Sequence, residues 1–266
     1  MAANPSWWLT DAKHTGPVNS TWKTFDLTVA AAMRVWQQTA LNLTATGVVD
    51  SGFADGCVSR GSGPHLTPAG AGALLVAKQQ MLRELQPQLP GPLICGSDGS
   101  FPPGVGGVQA GGWGVVPKGG RTHFSTVEIP ALMKAVSARL VFQAHGRAVC
   151  NQSRQLPTCC VASGPPCDCA TPRPDHDEPA VQTELAAFLV GMGERSYFTC
   201  GSWEDTLSSP TTSSWLPVYD LPLGEPIANA SLGADGVWRR SFASGTRATF
   251  DTVAEVGRVF WACAES

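Results

Sequence analysis

The stretch Thr46-Gly47-Val48-Val49-Asp50-Ser51-Gly52-Phe53-Ala54-Asp55 decides how this chain folds. Val48 and Val49 open a short apolar run that closes on an acid, the pattern of a buried strand that delivers a polar side chain at its end. Upstream, Leu27, Ala30, Ala31, Val35, Ala40 and Leu41 fall on an approximate helical stripe, so Leu27–Leu43 is predicted to be a helix with Asp26 as its N-cap. Downstream, Thr67 is placed to cap a second helix with Pro68 in its first turn. That helix carries Leu74, Leu75, Val76, Met81, Leu82 and Leu85 and stops before Pro87.

The same alternation continues outward. Leu93–Gly96 reads as a strand, 99–120 as a Gly-rich loop carrying Trp113, and Ile129–Ala138 as a helix. Leu140–His145 reads as a third strand, Glu184–Met192 as a short apolar helix and Tyr197–Cys200 as a fourth strand. Between them, 150–179 is rich in Cys and Pro and lacks any period, so it reads as a loop insert. Four alternations of strand and helix predict a parallel α/β architecture, either half of a barrel or part of an open sheet. After Trp215 the pattern changes. Val237–Phe242, Thr246–Phe250 and Gly257–Trp261 alternate around a Ser244-Gly245 turn, which predicts an antiparallel β meander. The expected division is therefore a partial (β/α)8 TIM-type barrel over 1–215 and a C-terminal antiparallel β extension over 216–266.

Composition narrows the function classes. The 266 residues have a formal charge of −3, 43% hydrophobic content and no basic run, so nucleic-acid binding has no electrostatic footing. No apolar stretch is long enough to span a membrane. Four of the five Asn (Asn19, Asn42, Asn151, Asn229) head N-x-Ser/Thr motifs, and nine Cys accompany them. Both features point to an oxidising, glycosylating compartment. The N-terminus carries no basic segment followed by an apolar run, so the expectation is that a leader and further N-terminal structure are missing. Cys159-Cys160 and Cys167-x-Cys169 lack the spacing of zinc hairpins, so disulfides are favoured over a metal. No P-loop, dinucleotide or nucleophile-elbow motif occurs, and no cofactor is expected.

The reactive candidates are set by strand direction, because the C-terminal ends of parallel strands carry the chemistry of such folds. Asp55 closes its strand there and can serve as nucleophile or proton donor in glycosidic cleavage, or simply cap a turn. Asp98 comes after the next strand in Ser97-Asp98-Gly99, as a second acid or a turn residue. His145 ends the third strand, where it can bond a sugar hydroxyl or serve as a structural histidine. Asp50, earlier on its strand, is a hydrogen-bond acceptor. Glu194 is an acid/base candidate that the topology places at the opposite end. Trp113 and Trp203, on loops, are either sugar-stacking platforms or packing anchors.

Several stretches resemble a group of TIM-barrel glycosyl hydrolases. They are Asn4–Leu9, Phe25-Asp26-Leu27, the Thr46–Asp55 stretch, Leu185–Leu189 with Gly193-Glu194, Tyr219–Pro226, and Arg240–Thr246 leading into Phe250-Asp251. In that group the Gly-x-x-Asp-x-x-Phe-x-Asp strand belongs to the middle of the barrel. The resemblance therefore implies that this chain starts late, and it implies an acidic role for Asp55, and less directly for Asp50 and Glu194. The Cys-rich insert departs from the pattern. Three readings stay open: a hydrolase with paired carboxylates, a non-catalytic carbohydrate-binding relative, and a disulfide-rich interaction protein.

Overall fold

The computed structural model describes residues 5–7, 25–54, 57, 67–97, 103–110, 113, 115–118, 121–124, 127–146, 179–199 and 223–262. The chain divides into two compact units, Met1–Gln109 and Ala110–Ser266.

In the first unit, helices α1 (Ala30–Ala45) and α2 (Pro68–Leu85) accompany strands β1 (Gly52–Ala54) and β2 (Leu93–Ser97). Thr67 caps α2 as its sequence demands: extended itself, it accepts the Gly70 amide at 3.1 Å through Oγ1, while Pro68 fills the first helical position. Leu74, Ala77, Met81, Leu82 and Leu85 form the buried stripe of α2. The helix then hands over to β2 through Gln86, which accepts the Leu93 amide at 2.6 Å and donates to the Gly91 carbonyl at 3.2 Å. One side chain thus fastens the end of the helix to the start of the strand.

Two local expectations change here. Asp26 does not cap α1. Val29 occupies that position, and Asp26 Oδ1 accepts from the Thr28 amide and hydroxyl in a turn of its own. Val48 and Val49 do not open β1. They precede it, 85% and 45% exposed, and only Gly52–Ala54 pairs with β2. The apolar pair satisfies the pattern of a strand, but backbone pairing starts only at Gly52.

Strand β3 (Gly107–Ala110) spans the division in the chain and leads into the antiparallel hairpin of the second unit, β4 (Val115–Lys118) and β5 (Arg121–Phe124). The expected Gly-rich loop over 99–120 therefore contains regular structure, which four-residue strands broken by glycine do not announce. Helix α3 (Glu128–Ser137), strand β6 (Val141–His145), helix α4 (Pro179–Gly191) and strand β7 (Ser196–Thr199) come next. Strands β6 and β7 are parallel, with Phe142 opposite Ser196 and His145 opposite Thr199. The parallel sheet runs in the order β1-β2-β3-β6-β7. Five strands without closure confirm the parallel α/β class; a complete barrel is not formed among the described residues.

The C-terminal meander has four strands, one more than expected: β8 (Ser231–Leu232), β9 (Val237–Ser241), β10 (Arg247–Asp251) and β11 (Val256–Phe260), in the order β11-β10-β9-β8. It packs on α4 within the second unit. Helix α4 is buried on nearly every side, with Ala186, Ala187 and Val190 fully inaccessible, as befits a helix held between α3, the hairpin and the meander. Its first turns also protect the open edge of β11: Thr183 Oγ1 accepts the Gly257 amide at 3.2 Å and Gln182 Oε1 the Val259 amide at 3.1 Å. Gly257 is what permits this closeness, since a Cβ there would lie 2.6 Å from that of Ala186. The other end of α4 is closed by Arg240, whose guanidinium donates to the carbonyls of Leu189 at 3.3 Å, Val190 at 3.2 Å, and Met192.

Candidate functional site

A parallel pair of strands brings its C-terminal ends to one side, so the candidates of each unit are the residues at and just beyond those ends: after Ala54 and Ser97 in the first unit, and at His145 and after Thr199 in the second. In the first unit, Ala54 is the last paired residue of β1 and stands opposite Cys95. Three residues later Cys57 is joined to the same Cys95 by a buried disulfide, with Cα atoms 5.9 Å apart. The chain is thus attached to one point of β2 immediately before and shortly after Asp55. Asp55, Asp98 and Trp203 themselves lie outside the described residues.

In the second unit, His145 ends β6 opposite Thr199, and the next amide, of Gly146, donates to the Thr199 carbonyl at 2.8 Å. His145 is half-buried, and desolvation holds its pKa below the ordinary 6.5, so the imidazole is neutral at neutral pH. A neutral ring both donates and accepts, which suits a residue facing hydroxyl groups. Beside Gly146 lies Glu184, fully buried in α4. Its Oε2 packs against Gly146, where a Cβ would collide with that oxygen and come within 3.3 Å of Phe198.

Glu184 is a residue that the sequence patterns did not single out. Its signal is compositional: an acid directly ahead of Leu185-Ala186-Ala187-Phe188-Leu189-Val190, in a helix with no other charge. Burying a carboxylate costs several kcal/mol, in round terms, unless polar partners compensate it, so an acid retained there marks a place where polarity is used.

The remaining candidates separate clearly. Trp113 is wholly inaccessible. It meets Phe124, Phe142 and Phe188 edge-on at centroid distances of 5.4, 5.7 and 6.4 Å, and its Nε1 donates to the Glu184 carbonyl at 3.2 Å. Each such pair contributes about 1 kcal/mol beyond the area buried. Trp113 is therefore the centre of a core and has no face for a sugar; its glycine-rich surroundings hid this. Asp50 is exposed ahead of β1, and Glu194 is exposed ahead of β7, so both stand at the N-terminal ends of their strands. Arg195, the neighbour of Glu194 in the chain, donates to the Arg139 carbonyl at 3.1 Å. No group of three or more metal-ligating side chains occurs among the described residues.

No curated protein matches this chain in sequence. A family model does, over residues 1–246, and its span includes both the Thr46–Asp55 stretch and the Arg240–Thr246 turn. Two of the matching segments meet in space, since Arg240 closes the helix that carries Leu185–Leu189. The chain belongs to hypothetical glycosyl hydrolase family 15.

Proposed function

We propose that the chain hydrolyses O-glycosidic bonds, with Asp55 and Asp98 of the first unit as the paired carboxylates; in the second unit, by itself, His145 is proposed as a hydrogen-bonding residue for sugar hydroxyls. The supporting observation is the parallel register of β1 and β2, in which Ala54 stands opposite Cys95. Asp55 directly succeeds Ala54, and Asp98 directly succeeds the last residue of β2. Neighbouring strands lie about 4.8 Å apart, and glycosidases need their two carboxyl groups at roughly 5 to 10 Å; two acids that follow paired strands in the sequence support this reading. One would protonate the leaving oxygen while the other attacks the anomeric carbon or activates a water. Membership of a glycosyl hydrolase family supports a carbohydrate as the substrate class. The disulfide agrees with an oxidising, extracytoplasmic setting, and no helix among the described residues is long and apolar enough to cross a membrane.

Hydrolysis of a panel of 4-nitrophenyl glycosides by D55N and D98N is the test. Loss of kcat by about a hundredfold or more is expected for each, with binding largely retained, whereas E194Q, at the other strand ends, is expected to behave as the parent. Undiminished turnover by D55N would remove Asp55 from the chemistry, and no turnover by the parent on any glycoside would leave the carbohydrate-binding reading.

A further inference from the structure

The meander has two unlike faces. Phe242, Ala248, Phe250 and Val259 point inward and are buried, while Arg239, Arg247 and Arg258 point outward and are exposed. Register sets these three on one surface. Arg239 and Arg258 are the two neighbours of Thr249, one on each side, and Arg247 lies two residues along β10, opposite Ser241 and Phe260. The two flanking strands stand about 10 Å apart. Arg247 lies over the Phe260 ring, 5.7 Å from its centroid, and Arg258 has no ion-pair partner among the described residues. The acids of this region are already engaged. Asp235 is paired with Arg239, and Asp251 Oδ1 accepts the Val253 and Ala254 amides at 2.8 and 2.9 Å. A chain of net charge −3 thus presents a cationic face with hydroxyls and one aromatic ring between its arginines.

We propose that this outward face docks a uronate-bearing polysaccharide, with its carboxylates taken by Arg247 and Arg258 and its sugar rings lying along Thr249, Ser241 and Phe260. The choice of a polysaccharide rests on the proposed glycosidase activity; the charge complementarity does not. Guanidinium forks match planar carboxylates, and Arg239 shows that pairing on this same face, donating to both oxygens of Asp235. The Arg247 guanidinium, held over the Phe260 ring, adds a flat cationic plane to the face against which a pyranose can lie. Of the three arginines only Arg239 has its carboxylate, on Asp235; Arg247 and Arg258 have no such ion pair among the described residues, and a polyanion supplies it.

The experiment is affinity electrophoresis and calorimetry of the full chain with polygalacturonate, with neutral dextran and uronate-free dextran sulfate as parallel probes. Polygalacturonate is expected to bind, dextran not, and dextran sulfate more weakly. R247A/R258A should weaken polygalacturonate binding by about tenfold or more with an unchanged melting temperature. R247K/R258K should keep the salt dependence but recover only part of the affinity, because a lysine cannot form the fork. Equal binding of dextran, preference for dextran sulfate, or undiminished binding by R247A/R258A would overturn the proposal. Glycoside turnover separates the two readings: docking that persists while no glycoside is hydrolysed by the parent sinks only the hydrolase, and hydrolysis without polygalacturonate binding sinks only the docking face.

Discussion

At the scale of single residues, Gly146 and His145 govern the best-described strand end. Gly146 has no room for a methyl group, because Glu184 Oε2 occupies that space. Gly146→Ala is expected to destabilise the second unit by about 1–3 kcal/mol, the usual cost of overpacking, visible as a lower urea midpoint; an unchanged midpoint would mean that the carboxylate moves aside freely. His145 carries a pH signature. Its folded-state pKa is depressed by burial, so the unfolded chain takes up the proton first as pH falls. The stability it contributes is complete above about 6.5 and is lost as pH falls through the folded value. Urea midpoints of the parent should decline over that interval, and those of His145→Gln should decline less. Matching slopes would show that another group is titrating. The sequence revealed His145 at its strand end because strand and position were both periodic. It did not reveal the burial of Trp113, because Ala110-Gly111-Gly112-Trp113 has no local pattern and only tertiary packing fixes the indole.

At the scale of elements, helices were legible to within a few residues. Thr67-Pro68 announces α2 by mechanism, since its hydroxyl and its missing amide both satisfy a helix start. The apolar run of α4 is likewise plain, although the helix begins at Pro179, upstream of the expected Glu184. Short strands were less legible: β3, β4 and β5 have four residues each, too few for alternation to register. Arg240 shows a further limit. In sequence it is one of two adjacent arginines on an alternating strand; in space it turns inward while Arg239 faces water. Its guanidinium binds three carbonyls at the end of α4 and lies 5.6 Å from the Phe242 centroid. Arg240→Met keeps the stem and removes the charge, and is expected to cost about 2 kcal/mol by leaving those carbonyls uncapped. Arg240→Lys should recover part of this and Arg239→Met should cost far less. Equal losses at the two positions would contradict the inward assignment.

At the scale of the whole molecule, the two compact units differ in what holds them. The second unit has the aromatic cluster around Trp113 and the helix α4 buried between layers. The first has a smaller apolar core, with Cys57 joined to Cys95 across 38 residues of sequence. Closing a loop of that length restricts the unfolded chain by about 4 kcal/mol in the chain-entropy model, a large part of the stability of any one unit. Cooperative units can open separately when their cores are distinct. Cys57→Ser/Cys95→Ser is therefore expected to raise hydrogen exchange throughout α2 and β2 while protection in α4, β10 and β11 stays at the parental level. The same variant should lose turnover on any glycoside that the parent cleaves, because Asp55 lies between the two attachments to Cys95. Uniform loss of protection across both units would show instead that they open as one body, and unchanged protection in α2 would show that the apolar stripe from Leu74 to Leu85 holds the first unit without its covalent tie.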